Sequence, residues 1–209
     1  KSANKLKAKD LSIMCGNVYP AGKDENWLIE MVAKTIESNV YVFSQTKNKT
    51  AKSPSLKNLV ILTTGLSGSD LSKAKQAAKK GFAIGEGVNT AKHLGDLPAN
   101  HCTPRIIEKK VKAMKKDFPK LKIKSFNEND LAKLKMGSFL SVGRGSDEPS
   151  RMMVIEYNGG NSSEKPVALV GKGITFDTGG VSLKPPQAMD EMKWDMCGAA
   201  TVFGVMSTL

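Results

Sequence analysis

Cysteine, histidine and aromatic side chains are scarce in this chain, and long apolar runs are missing. The three cysteines, Cys15, Cys102 and Cys197, are odd in number and far apart, which fits neither a disulfide framework nor a zinc-thiolate cluster. A reducing cytoplasm is the expected compartment. The two histidines, His93 and His101, flank a helix end and a turn with no Ser or Cys pattern beside them, so they read as surface or capping residues and not as bases. The apolar runs 59–62 and 167–170 fall far short of the roughly 20 residues a membrane helix needs, and no membrane partner is expected. The opening KSANKLKAKD is polar and basic, without the apolar stretch of a signal peptide. The sequon Asn48-Lys49-Thr50 matters only on a secretory route and is set aside. The chain starts without Met and stops in mid-pattern at VMSTL, so a fragment is expected.

What is present suits a globular protein. A chain of 209 residues, 40% hydrophobic and 25% charged, can bury a core and form one large or two small domains. The net charge of +12 is unevenly spread: five basic and six acidic residues from Arg151 onward leave −1, so the first 150 residues carry +13. Such a surface could meet nucleic acid. The lysines are interleaved with Asp and Glu, without aromatic platforms, and read more simply as a solvated face. A basic nucleic-acid-binding module without catalysis remains the alternative reading.

Periodicity predicts alternating strands and helices: strands at 11–15, 40–44 and 59–63, a helix over 26–38 and a polar loop at 45–55. From Ser69, the residues Leu71, Ala74, Ala78, Phe82, Gly85, Val88 and Ala91 form one helical stripe that closes at Leu94-Gly95. This predicts a connector of about seven turns, whose Ala/Gly face suits close packing. Thr103-Pro104 opens another helix to about Phe118. Then come a strand at 121–126, a short helix at 127–134 and strands at 139–142, 152–157 and 167–170. The expected fold class is α/β: a small N-terminal α/β domain (1–68), a connecting helix (69–95) and an incomplete catalytic α/β domain with a mixed central sheet (96–209).

The stretch VGKGITFDTGGVSLKPPQAMDEMKWDMCGAA, residues 170–200, carries the chemistry. Gly171-Lys172-Gly173 fails the dinucleotide fingerprint at Phe176, and the Walker pattern fails as well. Ser162-Ser163-Glu164-Lys165 matches S-x-x-K, but no Lys-Thr-Gly partner exists. There remain Lys172 after a predicted strand end, Asp177 among glycines, Lys184, and an acidic, Met-rich run with Asp190, Glu191 and Asp195. Ligand sites lie outside strand carboxyl ends in open α/β sheets. Carboxylates converging without histidine suit magnesium, manganese or zinc. Asp and Lys in loops are also commonly just solvated, and spacing alone leaves both readings open.

GKGITFDTGG, SLKP and MDEMKWDMCGAA resemble the signature run of the leucyl aminopeptidase (cytosolic aminopeptidase) family. AKHLGDLPANHCTP resembles that family's interdomain connector, and SFLSVGRGS with VIEYNGG resembles the strands leading to its site. The likeness runs from about residue 59 to 209. It implies a metallo-aminopeptidase that releases N-terminal Leu or similar apolar residues from peptide substrates. It further implies two divalent metal ions per site, manganese or zinc with magnesium as an alternative, in a cytoplasmic homo-hexamer.

Carried over by position, the resemblance makes Lys172, Asp177 and Asp195 metal ligands, with Asp177 bridging, and Lys184 catalytic. Met192 lines the pocket for the first substrate side chain, and Lys172, Asp177, Lys184 and Asp195 also face substrate. A ligating lysine must be neutral, so the pKa of Lys172 is expected to be depressed. The family's bicarbonate is held by an arginine in a motif of the form NTDAEGR, which also supplies one more Asp and one Glu ligand. That motif does not occur in these 209 residues, so this chain alone is expected to be inactive.

Overall fold

Two parallel five-residue strands form the first sheet. A computed structural model describes residues 7–15, 19–48, 55–63, 65–161 and 163–209. Lys49 and Thr50 of the sequon, Ser162 of the S-x-x-K match and the first six residues lie outside that description. The described residues form a mixed α/β structure that separates into two units, one through Asn89 and one from Thr90 to Ser207.

In the first unit, β1 (Asp10–Met14) pairs in parallel with β2 (Asn58–Leu62), Asp10 opposite Asn58 and Met14 opposite Leu62. Both strands alternate exposed and half-buried residues, as a sheet with one covered face must. Helix α1 (Glu25–Val40) is started by Asp24, whose carboxylate accepts from the Trp27 amide at 2.8 Å. Cys15, Ile29 and Ala74 form the buried cluster, with Leu28, Val32, Ile61 and Leu66 packed on it.

Helix α2 (Gly68–Asp96) packs closely on α1, as its Ala/Gly face led us to expect. A Cβ on Gly85 would lie 2.5 Å from the Glu37 Cβ, and one on Gly81 would stand 2.8 Å from the Ala33 Cβ and against the Glu30 carbonyl. Asn89 donates to the Glu37 carbonyl at 3.0 Å along the same seam.

In the second unit, α3 (Pro104–Asp117) carries Thr103 at its N-cap and Pro104 in its first turn, and buries Ile107, Val111 and Met114. Strand β3 (Lys122–Phe126) pairs antiparallel with β4 (Met152–Glu156), Lys122 opposite Glu156 and Phe126 opposite Met152. Between them lie α4 (Glu128–Lys133), begun by a reciprocal Asn127/Asp130 capping box, and α5 (Gly137–Gly143). A polar bracket ties α3 to this ladder: Glu108 accepts from Lys112 at 2.5 Å, Ser125 at 2.6 Å and Arg151 at 2.8 Å. The hydrogen bonds from Lys112 and Ser125, with that from Arg151, hold the Glu108 carboxyl down to about 2 against the opposing effect of burial.

Three strand expectations are corrected. Residues 41–44 form no strand, because α1 continues to Val40 and a turn follows. Residues 139–142 lie inside α5, where Leu140 donates to the Met136 carbonyl at 3.1 Å; a short apolar run does not distinguish helix from strand by period. Residues 167–170 pair with no strand among the described residues, and Val167 and Val170 are 88% and 95% exposed. Apolar composition makes a segment fit for a buried strand but supplies no backbone partner. The described sheets are the two-stranded ladders β1–β2 and β3–β4.

Candidate metal-binding active site

The chain from Gly171 to Met206 builds one cluster from a loop, a 3₁₀ turn and a helix. Asp177 opens a tight turn in which its Oδ1 accepts from the Gly179 amide at 2.9 Å. Gly179 and Gly180 adopt φ of 91° and 74°, left-handed values that glycine takes without steric cost. The Lys184 amide closes the turn on the Thr178 carbonyl at 2.9 Å. This brings the Lys184 ammonium to 2.8 Å from Asp177 Oδ2.

The same ammonium lies 3.1 Å from Met192 Sδ. Met192 belongs to the 3₁₀ turn Met189–Trp194, which begins after Ala188 in a left-handed conformation of φ 59°. Lys193 reaches the Asp96 carbonyl at 3.5 Å and sits 5.4 Å from the Trp194 ring centre. A Cβ on Gly95 would lie 3.1 Å from Cys197 Sγ and 3.8 Å from Trp194, so the turn is seated on the C-terminal end of α2. Asp195 follows it, and the wholly buried Met196 leads into α6 (Cys197–Met206).

Asp195 Oδ2 stands 2.9 Å from Lys172 Nζ. That oxygen is itself buried and accepts no hydrogen bond of good geometry. Distance and angle thus disagree, and we take the contact as an ion pair without a directed bond. The charges of both Asp195 and Asp177 act on the Lys172 ammonium, so the 172–195 and 177–184 pairs are neighbours. The fifth predicted residue, Met192, joins through Lys184.

The electrostatics follow from these contacts. The Lys184 hydrogen bond, with help from the Gly179 amide, holds the Asp177 carboxyl below its ordinary value. Lys172 moves the other way. Its bond to Asp195, and the charges of Asp195 and Asp177, raise it against a smaller desolvation effect. The ammonium is here the counter-ion of Asp195, whereas the expected depression concerns a Lys172 amine beside a dication. Asp190 and Glu191 occupy the first turn of the 3₁₀ segment.

A lysine amine and two carboxylates, one of them with a buried oxygen whose charge partner is the Lys172 ammonium at 2.9 Å, are a donor set that fits a divalent cation once the lysine is neutral. The buried Asp195 Oδ2 carries that fit, since neutralising Lys172 would leave this withdrawn oxygen in need of another cation. Residues that sequence reasoning missed are backbone ones: Gly171, Gly198 and Ala199, which hold Lys172 in position.

Comparison with known proteins places the chain in a family. The model of the cytosol aminopeptidase family's catalytic domain matches residues 89–209. The chain belongs to the cytosol aminopeptidase family. It is 42% identical over 201 residues to a probable cytosol aminopeptidase of Pseudomonas fluorescens, covering 96% of this chain and 40% of the relative. Against the cytosol aminopeptidase of Pseudomonas aeruginosa it is 41% identical, covering 95% of this chain and 40% of that one. Among solved structures it resembles the bottromycin maturation enzyme BotP in complex with Mn, with TM-score 0.77 and 26% identity, covering 97% of this chain and 40% of that one. The chain thus spans about two fifths of the length of these relatives.

Proposed function

We propose that this chain is the first portion of a metal-dependent aminopeptidase that releases N-terminal residues, with Leu and similar apolar side chains preferred, from peptides. The observation that carries the reading is the convergence of Lys172, Asp195, Asp177 and Lys184 through contacts of 2.9 and 2.8 Å. Residues 1–68, 69–95 and 96–209 are read as N-terminal domain, connecting helix and start of the catalytic domain. The cytoplasm, a homo-hexamer and an assisting bicarbonate belong to the same proposal for the complete protein.

Two divalent ions, manganese or zinc, would supply Lewis acidity and a water made acidic enough to attack at neutral pH. The chain's own residues would do the rest. Lys172, its proton released to solvent when a cation binds, would offer an amine lone pair, and Asp195 would offer its buried oxygen beside it. Asp177, held ionised by Lys184 and the Gly179 amide, would be a further carboxylate ligand. Lys184 keeps its proton and donates to the oxyanion that develops on the scissile carbonyl. Met192 presents a flexible, polarisable wall to the first side chain of the substrate.

Ligand counting supports a longer working chain. Among the described residues no three His, Cys, Asp or Glu side chains converge as a metal group, and one lysine with two aspartates leaves a two-metal centre short of donors. The test is release of leucine from a chromogenic amide by the complete protein with added manganese or zinc. The reading predicts turnover that a chelator abolishes and metal restores. Metal-independent turnover, or none with any of these ions, would overturn it.

A further inference from the structure

The loop that carries Lys172 lies directly on the first turn of α6, and glycine makes the approach possible from both sides. A Cβ on Gly171 would stand 2.5 Å from the Gly198 carbonyl oxygen, 2.6 Å from the Ala199 Cα and 2.7 Å from the Ala199 nitrogen. From the other side, a Cβ on Gly198 would stand 2.9 Å from the Lys172 nitrogen and 3.2 Å from its carbonyl oxygen. These neighbours are backbone, which cannot swing away as a side-chain end can. Gly173 adds a milder contact, 3.2 Å from the Ala199 Cβ.

The close approach is used. Helix α6 starts at Met196 with no side chain capping its amides, and free first-turn amides need acceptors. The Ala199 amide finds one in the Lys172 carbonyl at 2.8 Å. The main chain of Lys172 is thereby fixed to the helix whose preceding residues include Asp195, while its side chain reaches Asp195 Oδ2 at 2.9 Å. Lysine has four rotatable side-chain bonds, so fixing its Cα against its partner's own element removes the largest freedom from the pair.

We infer that Gly171 and Gly198 are positioning residues: they let the Lys172 backbone dock on α6 and so set the amine against Asp195 at one of the two metal positions. The inference rests on the proposed metal site but concerns backbone contacts that no ligand assignment includes. A side chain at either position must push the loop off the helix by tenths of an ångström or more. That displaces Lys172, while the Asp177–Lys184 pair, fixed by its own turn, stays.

The test is calorimetric titration of the metal-stripped complete protein with Mn²⁺ or Zn²⁺, comparing wild type, Lys172→Met, Gly171→Ala, Gly198→Ala, Gly173→Ala and Gly137→Ala. Gly137, with nothing within 4 Å of an added Cβ, is the control. Expected is a loss of at least tenfold at one metal in Gly198→Ala and Gly171→Ala, with the second metal kept, a smaller loss in Gly173→Ala and none in Gly137→Ala. Lys172→Met should weaken the same metal, and adding Gly198→Ala to it should cost little more. If Gly171→Ala does not fold, Gly198→Ala and Gly173→Ala decide. Glycine variants that keep both affinities, or lose both metals equally, overturn the positioning role while Lys172→Met still loses one. Wild-type affinities for both metals in Lys172→Met overturn the proposed site, and the positioning role with it.

Discussion

Lys184 and Asp177 are held 2.8 Å apart by a turn whose backbone closes on itself, not by a shared strand or helix. The pair is therefore local. Its geometry is set by Gly179, Gly180 and the Lys184 amide bonded to the Thr178 carbonyl, and the two residues can be perturbed separately.

Separate roles predict separate losses. Lys184→Ala in the complete protein should lower kcat by about 10²–10³, the usual effect of removing one oxyanion donor, with metal content unchanged. Asp177→Ala should lose metal as well as turnover. Elemental analysis of both purified variants checks this, and full metal occupancy in Asp177→Ala would contradict its role.

The Glu108 bracket predicts an acid-sensitive fold. Its carboxyl sits at about 2 in the folded protein against an ordinary 4.5, so its contribution is complete above pH 4.5 and disappears as pH falls toward 2. Glu108→Gln should destabilise at neutral pH by about 1–3 kcal/mol, the scale of hydrogen bonds to charged groups, and much less near pH 2. Urea melts at pH 7 and pH 3 distinguish the two. Equal losses at both would mean that charge contributes nothing to the bracket.

Burial should silence Cys102. The thiol is 1% exposed and its pKa is pushed up to about 11 by desolvation, so the reactive thiolate is rare at neutral pH. Iodoacetamide at pH 8 should label Cys102 only after denaturation. Rapid labelling of the native protein, mapped by peptide mass, would show that the core around it opens.

Gly81 at the α1–α2 seam and Gly137 at the start of α5 should respond oppositely to alanine. Gly81→Ala gains about 1 kcal/mol in helix propensity but overpacks against Glu30 and Ala33 by about 1–3 kcal/mol, so a net loss is expected. Gly137→Ala meets nothing within 4 Å and should be neutral or stabilising. Thermal denaturation of both variants measures the difference.

Legibility followed the range of the forces involved. Helices α1 to α4 could be read in the sequence because caps and stripes are local signals: the stripe from Leu71 to Ala91 lies within α2, and Thr103-Pro104 marks the start of α3. Strands β1 to β4 were readable to within a residue or two. Residues 139–142 and 167–170 were not, because pairing is a property of a partner elsewhere in the chain. The side chains of the cluster were legible only through a long family signature. What held them was hidden, since Gly171 and Gly198 act by having no side chain, and a glycine in a sequence does not say which backbone it meets.

Ala188 has a consequence of its own. At φ 59° it occupies a conformation that costs an L-residue about 1–2 kcal/mol, whereas glycine there would cost about 0.5–1 kcal/mol in extra chain entropy. The difference favours glycine, by about 1 kcal/mol, so stability does not select alanine. Stiffness does, because alanine has a far narrower range of backbone angles around that point. The turn bearing Met192 and Asp195 therefore starts from a hard stop and not a swivel. Under the proposed reading, the size of first side chain that the Met192 thioether accommodates would then depend on backbone compliance at Ala188.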